Sequence, residues 1–95
     1  METSDRGFVV VDDQRRTNKP HIYAVGDVTG PPLLAHKAMQ EGIIAVDNML
    51  NSEKKSLNKH LIPSVVYCEP QVASIGMSEE KAKKAGFDVQ VGKFP

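Results

Sequence analysis

Cysteine is all but absent from this chain. Cys68 stands alone among 95 residues, which rules out an internal disulfide and a dithiol redox couple and fits a reducing compartment. Tryptophan is missing, and aromatic residues make up only 5% of the chain. An excess of one charge is lacking too: twelve Lys and Arg meet twelve Asp and Glu. No basic stripe with interleaved aromatics is therefore available to bind a nucleic acid. No apolar run approaches the roughly 20 residues of a membrane-spanning helix. The opening METSDRG is polar and acidic without the apolar centre of a signal peptide, which predicts an intracellular, cytoplasmic chain. His21, His36 and His60 fall too far apart for a recognisable metal-ligand spacing.

What is present is a series of short apolar runs divided by polar turns. GFVVVD, from Gly7, reads as a strand followed by the turn DDQRRTNK, and HIYAV after Pro20 reads as a second strand ending at Gly26 and Asp27. Pro31 and Pro32 suit the approach and first turn of a helix, which predicts a helix from near Leu33 to about Leu50. Within it Ala35, Ala38, Met39, Gly42, Val46 and Met49 recur at three- and four-residue spacing. They form the expected inner face, and Lys37, Gln40, Glu41 and Asn48 the outer one. With Ala45, the small residues suggest a surface against which another backbone or a flat ligand lies close.

NSEKKSLNKH, from Asn51 to His60, holds one apolar residue and reads as a linker. After it, LIPSVVYC and QVASIG are β-rich. SEEKAKKAG reads as a short helix with Ser78 as its cap, Glu79 and Glu80 at its positive end, Lys83 and Lys84 at its negative end, and Gly86 closing it. Phe87, Val89 and Val91 then alternate as one face of a further strand.

These elements do not add up to a closed fold. VVV and IYAV lack polar alternation, the mark of strands covered on both faces. Covering both faces takes several helices, and the chain supplies one long helix and one of about two turns. Either the strands pair in an unusual small fold or oligomer, or the sequence is a segment of a larger protein that completes the sheet.

The stretch IYAVGDVTGPPLLAHKAMQEG carries the candidate chemistry. A buried strand that ends in Gly-Asp and leads into a helix places a carboxylate at the carboxyl edge of a sheet, where open α/β sheets hold ligands. Gly26 permits a turn and a close approach, and ionised Asp27 is an acceptor suited to polyol hydroxyls. The helix start offers N–H groups around Leu34, Ala35 and His36 to an anion or an electron-rich carbonyl. Taken alone, a G-D dipeptide is far more often a simple turn and the prolines a simple helix start. His36 and Lys37 are explained better by the helix backbone than by side-chain catalysis. Cys68 with His60 lacks an orienting third group and reads as packing.

Thr17, a four-residue spacer and Ile22-Tyr23-Ala24-Val25-Gly26-Asp27 resemble the second flavin-binding fingerprint of the flavoprotein disulfide reductases, T-x-x-x-x-[VI]-[YF]-A-x-G-D. GPPLLAHKAMQEG is similar to the continuation found in the branch that oxidises dihydrolipoamide, more than to the glutathione or mercuric reductase versions. IPSVVYCEPQVASIG resembles the opening of that branch's dimerisation domain, with Cys68 where threonine is usual and Gln71 where glutamate is usual.

The resemblance implies an α/β to α+β chain. Residues 1–57 would close a three-layer FAD-binding domain, and residues 58–95 would open an α+β dimerisation domain. It implies that Gly26 and Asp27 meet the ribityl chain of FAD, and that the amides of Leu34, Ala35 and His36 face the pyrimidine side of the isoalloxazine. A helix start there would favour the reduced, negatively charged flavin. Val65 and Tyr67 share one face of a strand beside flavin and nicotinamide, which adds Tyr67 to the site. For the parent it implies NAD as co-substrate, a homodimer through residues 58–95, and a lipoyl-bearing component of a 2-oxoacid dehydrogenase or glycine cleavage complex as partner. The location would be the cytoplasm, or the mitochondrial matrix in a eukaryote.

The family's chemistry also needs a Gly-rich pyrophosphate loop, a C-x-x-x-x-C pair, an NAD domain and a His-Glu base, none of which occurs in these residues. The 95 residues alone are expected to be inactive and colourless, with exposed apolar strands that self-associate. The alternative is a stable, non-catalytic module for subunit contact.

Overall fold

An apolar run becomes a strand only where a second backbone takes up its N–H and C=O groups. That requirement decides which of the expected strands form. The computed structural model describes residues 1–95. The chain divides into two units, Met1–Asn58 and Lys59–Pro95.

In the first unit neither GFVVVD nor HIYAV builds a strand, contrary to expectation. Each makes one isolated antiparallel bridge, Thr3 with Val9 and Arg16 with Tyr23. The Val9 amide donates to the Val28 carbonyl at 2.8 Å and the Val10 amide to the Glu2 carbonyl at 3.0 Å. Both runs are extended but have no neighbouring strand in this chain to form a ladder. The expected polar turn does form: Asp12 Oδ1 accepts from the amides of Gln14 and Arg16, both at 2.9 Å, the local side-chain bond that favours Asp in turns. Thr17 closes the next loop. Its amide donates to the Ile22 carbonyl at 3.0 Å, and its hydroxyl oxygen lies 3.0 Å from that same carbonyl.

Helix α1 spans Ala35–Leu50, with Leu34 as its N-cap and both prolines ahead of it. Its buried face differs in part from the expected one: Ala38 and Gly42 are half-buried and Gln40 exposed as expected, but Lys37, Glu41 and Asn48 point inward. The buried residues are Lys37, Glu41, Ala45 and Asn48, one stripe at four-, four- and three-residue spacing. The expected inner residues Met39, Val46 and Met49 are 67%, 51% and 54% exposed. Ala45 is the one fully buried apolar residue in the chain. Periodicity separates two faces of a helix but does not say which one finds a partner. Here the buried polar stripe meets the turns of residues 12–30, while Met39, Ile43, Val46 and Met49 stay more than half exposed.

The segment expected as a linker is docked onto α1. Asn48 Nδ2 donates to the Lys55 carbonyl at 2.8 Å, and Asn48 Oδ1 accepts from the Lys55 amide at 2.8 Å. Lys54 Nζ donates to the carbonyls of Asn48 and Asn51 at 2.7 and 3.1 Å, where the helix dipole favours a cation. Lys55 pairs with Asp47 at 2.7 Å, and that hydrogen bond and charge raise the Lys55 ammonium above its ordinary value. The pair's contribution is complete below that ordinary value and is lost as pH rises through the raised one. It is small, because Lys55 is exposed.

The second unit holds a two-stranded antiparallel sheet of β1, Ser64–Val66, and β2, Val72–Ser74, in the register Ser64 to Ser74, Val65 to Ala73 and Val66 to Val72. Helix α2, Glu79–Lys84, has the expected cap: the Ser78 hydroxyl accepts from the Lys81 amide at 3.3 Å. Lys83 with Glu79 and Lys84 with Glu80 pair at 2.6 Å one turn apart, and Gly86 at φ +88° leaves the helix. The expected strand through Phe87, Val89 and Val91 does not form, because no backbone in this unit lies alongside to pair with it.

Replacing Asn48 with Ala leaves the Lys55 amide without its acceptor. The substitution should cost about 1–3 kcal/mol in urea unfolding and speed tryptic cleavage at Lys54 and Lys55.

Candidate functional site

The site is built around a glycine that no other residue can replace without strain. Gly26 has φ +80° and opens a tight 3-10 turn, Gly26–Thr29. A side-chain carbon added to it would lie 3.4 Å from the Ala38 Cβ, so its backbone packs directly on the first turns of α1. Ala38 thus supplies the small surface against which another backbone lies. Gly26 is buried, and the next residue, Asp27, is exposed.

The beginning of α1 forms the other half. Leu34 is extended at φ −138° and ψ 131°, no side chain caps the helix, and its first turn holds no acidic residue. The first intrahelical bond runs from the Ala38 amide to the Leu34 carbonyl at 3.1 Å. The N–H groups of the preceding residues lie at the positive end of a 16-residue helix.

A buried ionic cluster joins these halves. Glu41 is fully buried; its Oε2 accepts from the Gly26 amide at 2.7 Å, and its Oε1 from Arg15 Nη1 at 2.8 Å. Lys37 Nζ lies 3.4 Å from the same Oε1. It also donates to the carbonyls of Gly26 and Gly30 at 3.2 and 3.0 Å. Arg15 holds a left-handed backbone at φ +68° and donates through Nη2 to the Asp12 carbonyl at 2.9 Å. Its Nε is buried without a partner. Such a cluster is expensive to desolvate, and removing one member costs about 3–5 kcal/mol because the others stay buried and uncompensated.

Gly26, Asp27, Leu34, Ala35 and His36 therefore lie on one turn-and-helix assembly in the first unit. Tyr67 lies in the second, just past β1 and 85% exposed. Cys68 is exposed, and its thiol donates to the Pro70 carbonyl at 3.1 Å. His, Cys, Asp and Glu form no group of three able to hold a metal ion, and no helix is long and apolar enough to cross a membrane. Sequence reasoning missed Arg15, Lys37 and Glu41. The available signal was the four-residue spacing of Lys37 and Glu41 on a helix next to a buried glycine turn; it was read instead as a solvated face.

Chemically, the assembly presents a carboxylate acceptor beside a row of helix-terminal donors. That pattern suits a ligand with hydroxyls on one side and electron-rich oxygens on the other. A family model described as pyridine nucleotide-disulphide oxidoreductase matches residues 1–42, and one for the dimerisation domain of the same family matches residues 62–95. The chain belongs to the pyridine nucleotide-disulphide oxidoreductase family. Among curated proteins it is similar to the dihydrolipoyl dehydrogenase of Thermus scotoductus, 48% identical over the whole chain and 20% of that protein. The dihydrolipoyl dehydrogenase of Haemophilus influenzae is 46% identical over the same shares. Among solved structures, the HOCl-induced flavoprotein disulfide reductase RclA of Escherichia coli matches with a TM-score of 0.78 at 32% identity, over 94% of this chain and 21% of that one. The chain spans about a fifth of the length of the curated relatives it matches.

Two glycines should respond oppositely to alanine. Gly26→Ala forces a side chain into the left-handed region and should lose about 1–2 kcal/mol. Gly42, inside α1 with open space around it, should gain about 0.5–1 kcal/mol. Urea unfolding of the whole chain reads both.

Proposed function

We propose that this chain is the part of a dihydrolipoyl dehydrogenase that closes the FAD-binding domain, residues 1–57, and opens the dimerisation domain, residues 58–95. The observation that carries the reading is the exposed Asp27 carboxylate on a clamped turn beside the uncapped start of α1. Those groups fit FAD. An ionised carboxylate accepts from ribityl hydroxyls. The backbone N–H groups at Leu34, Ala35 and His36, with a helix dipole behind them, suit the pyrimidine carbonyls of an isoalloxazine. Gly26 lets the turn come close. Tyr67 belongs to the site only through the family resemblance.

Bound FAD would relay electrons between a redox disulfide and NAD⁺, so that dihydrolipoamide is oxidised and NADH formed. The residues of this chain would bind and orient the flavin, and the positive helix end would favour its reduced, anionic form. They hold neither a Gly-rich pyrophosphate loop nor a cysteine pair, so the 95 residues alone are inactive. The parent would be a homodimer through residues 58–95. It would serve a lipoyl-bearing component of a 2-oxoacid dehydrogenase or glycine cleavage complex, in the cytoplasm or the mitochondrial matrix.

The reading is tested in a chimera in which this segment replaces the corresponding fifth of the Thermus scotoductus enzyme. The chimera should purify yellow and reduce NAD⁺ with dihydrolipoamide, and Asp27→Ala should weaken FAD binding at least about tenfold, since it removes charge-assisted acceptors. A folded dimeric chimera without flavin, or an Asp27→Ala variant that keeps it at full affinity, would contradict the assignment.

A further inference from the structure

We propose that Glu41 is a positioning residue for the flavin site, setting the Asp27 turn against the N-terminal amides of α1. The inference rests on the flavin reading above. The two halves of that site lie on different elements, and Glu41, with Lys37 beside it, couples them. It sits on α1 and takes the Gly26 amide on Oε2 at 2.7 Å. Lys37, one helical turn earlier, takes the Gly26 carbonyl at 3.2 Å and the Gly30 carbonyl at 3.0 Å. Both polar backbone atoms of the residue before Asp27 are thereby fixed by a single turn of the helix. Glu41 is fully buried, so it acts through the turn and not on a ligand.

The geometry requires a carboxylate in particular. Oε1 accepts from Arg15 at 2.8 Å and lies 3.4 Å from the Lys37 ammonium, while Oε2 accepts from Gly26. Both oxygens must therefore be acceptors. A glutamine has the same shape but one acceptor and one donor. Whichever way its amide is turned, an N–H group faces either the Gly26 N–H or the Arg15 and Lys37 donors. An aspartate is one methylene shorter and cannot span both sides.

A residue that merely supported the fold would weaken FAD binding independently of Asp27. A residue that acts by placing Asp27 should have little further effect once the Asp27 carboxylate is gone, which is the non-additivity a double-mutant cycle detects. The test uses the dimeric chimera described above, with FAD affinity, visible spectrum, flavin reduction potential and molecular mass as readouts. Glu41→Gln should weaken FAD binding roughly tenfold, since it leaves a buried donor facing a donor. The flavin potential should shift while the dimer mass stays unchanged. In the Asp27→Ala background the same substitution should cost less than about threefold.

Unchanged FAD affinity in a folded Glu41→Gln dimer, or losses that multiply in full, would overturn the inference and leave the flavin reading intact. Unchanged affinity in Asp27→Ala alone would overturn both. Should Glu41→Gln fail to assemble, Lys37→Gln reads the same clamp from the carbonyl side through the same cycle, and full additivity there is equally fatal.

Discussion

The Glu41 carboxylate is the constraint on which the first unit depends. It is fully buried and meets three donors, the Arg15 guanidinium, the Lys37 ammonium and the Gly26 amide. Each donor belongs to a different part of the chain: the left-handed turn at Arg15, the first turns of α1, and the turn that carries Asp27. A buried ion cluster gives little net stability when compared with apolar residues of the same shape. What it does give is direction, because charge-assisted hydrogen bonds fix angles and distances that apolar contacts leave loose. Arg15 keeps its unfavourable backbone because the guanidinium is held at both Glu41 and the Asp12 carbonyl.

The distribution of polarity follows from this. Apart from Gly26 and Gly30, the buried residues are Ala45 and the polar set Arg15, Thr17, Lys37, Glu41 and Asn48. Met39, Ile43, Val46 and Met49 of α1 are each more than half exposed. A unit with one fully buried apolar side chain draws little on hydrophobic burial, at about 25 cal/mol per Å² of apolar surface removed from water. Its order comes instead from side chains that reach backbone groups: Asn48 to Lys55, Thr17 to Ile22, Lys37 to Gly26 and Gly30. The chain matches a fifth of the length of its relatives, and it exposes large apolar residues in both units, from Met39 and Ile43 to Phe87 and Phe94.

Local rules were legible in the sequence wherever they close within a few residues. The α2 helix, its Ser78 cap and its Gly86 exit, the polar turn after GFVVVD, the β character of the segments that hold β1 and β2, and the extent of α1 all depend on neighbours close in the chain. Legibility failed where an element needed a distant partner. GFVVVD, HIYAV and the Phe87–Val91 run have strand composition, yet no ladder exists for them to join. Orientation failed as well: α1 has two clear faces, and the polar one turned inward because backbone carbonyls and the Gly26 amide claimed it. Gly26 and Asp27 were singled out as a turn leading into α1, and the turn and the helix start are where the sequence put them; their assignment to a flavin rests on the family fingerprint. Arg15, Lys37 and Glu41 were not, since a buried charge cluster looks like a solvated surface until its partners are placed.

The most direct measurement of the central claim is hydrogen exchange at the Gly26 amide in the whole chain. A four-residue turn next to an exposed Asp27 would ordinarily exchange fast, as frayed and exposed segments do. If Glu41 holds that amide in a buried hydrogen bond, Gly26 should be protected to the level of the amides in the middle of α1. Exchange as fast as that of residues 87–95 would contradict the clamp and the account built on it.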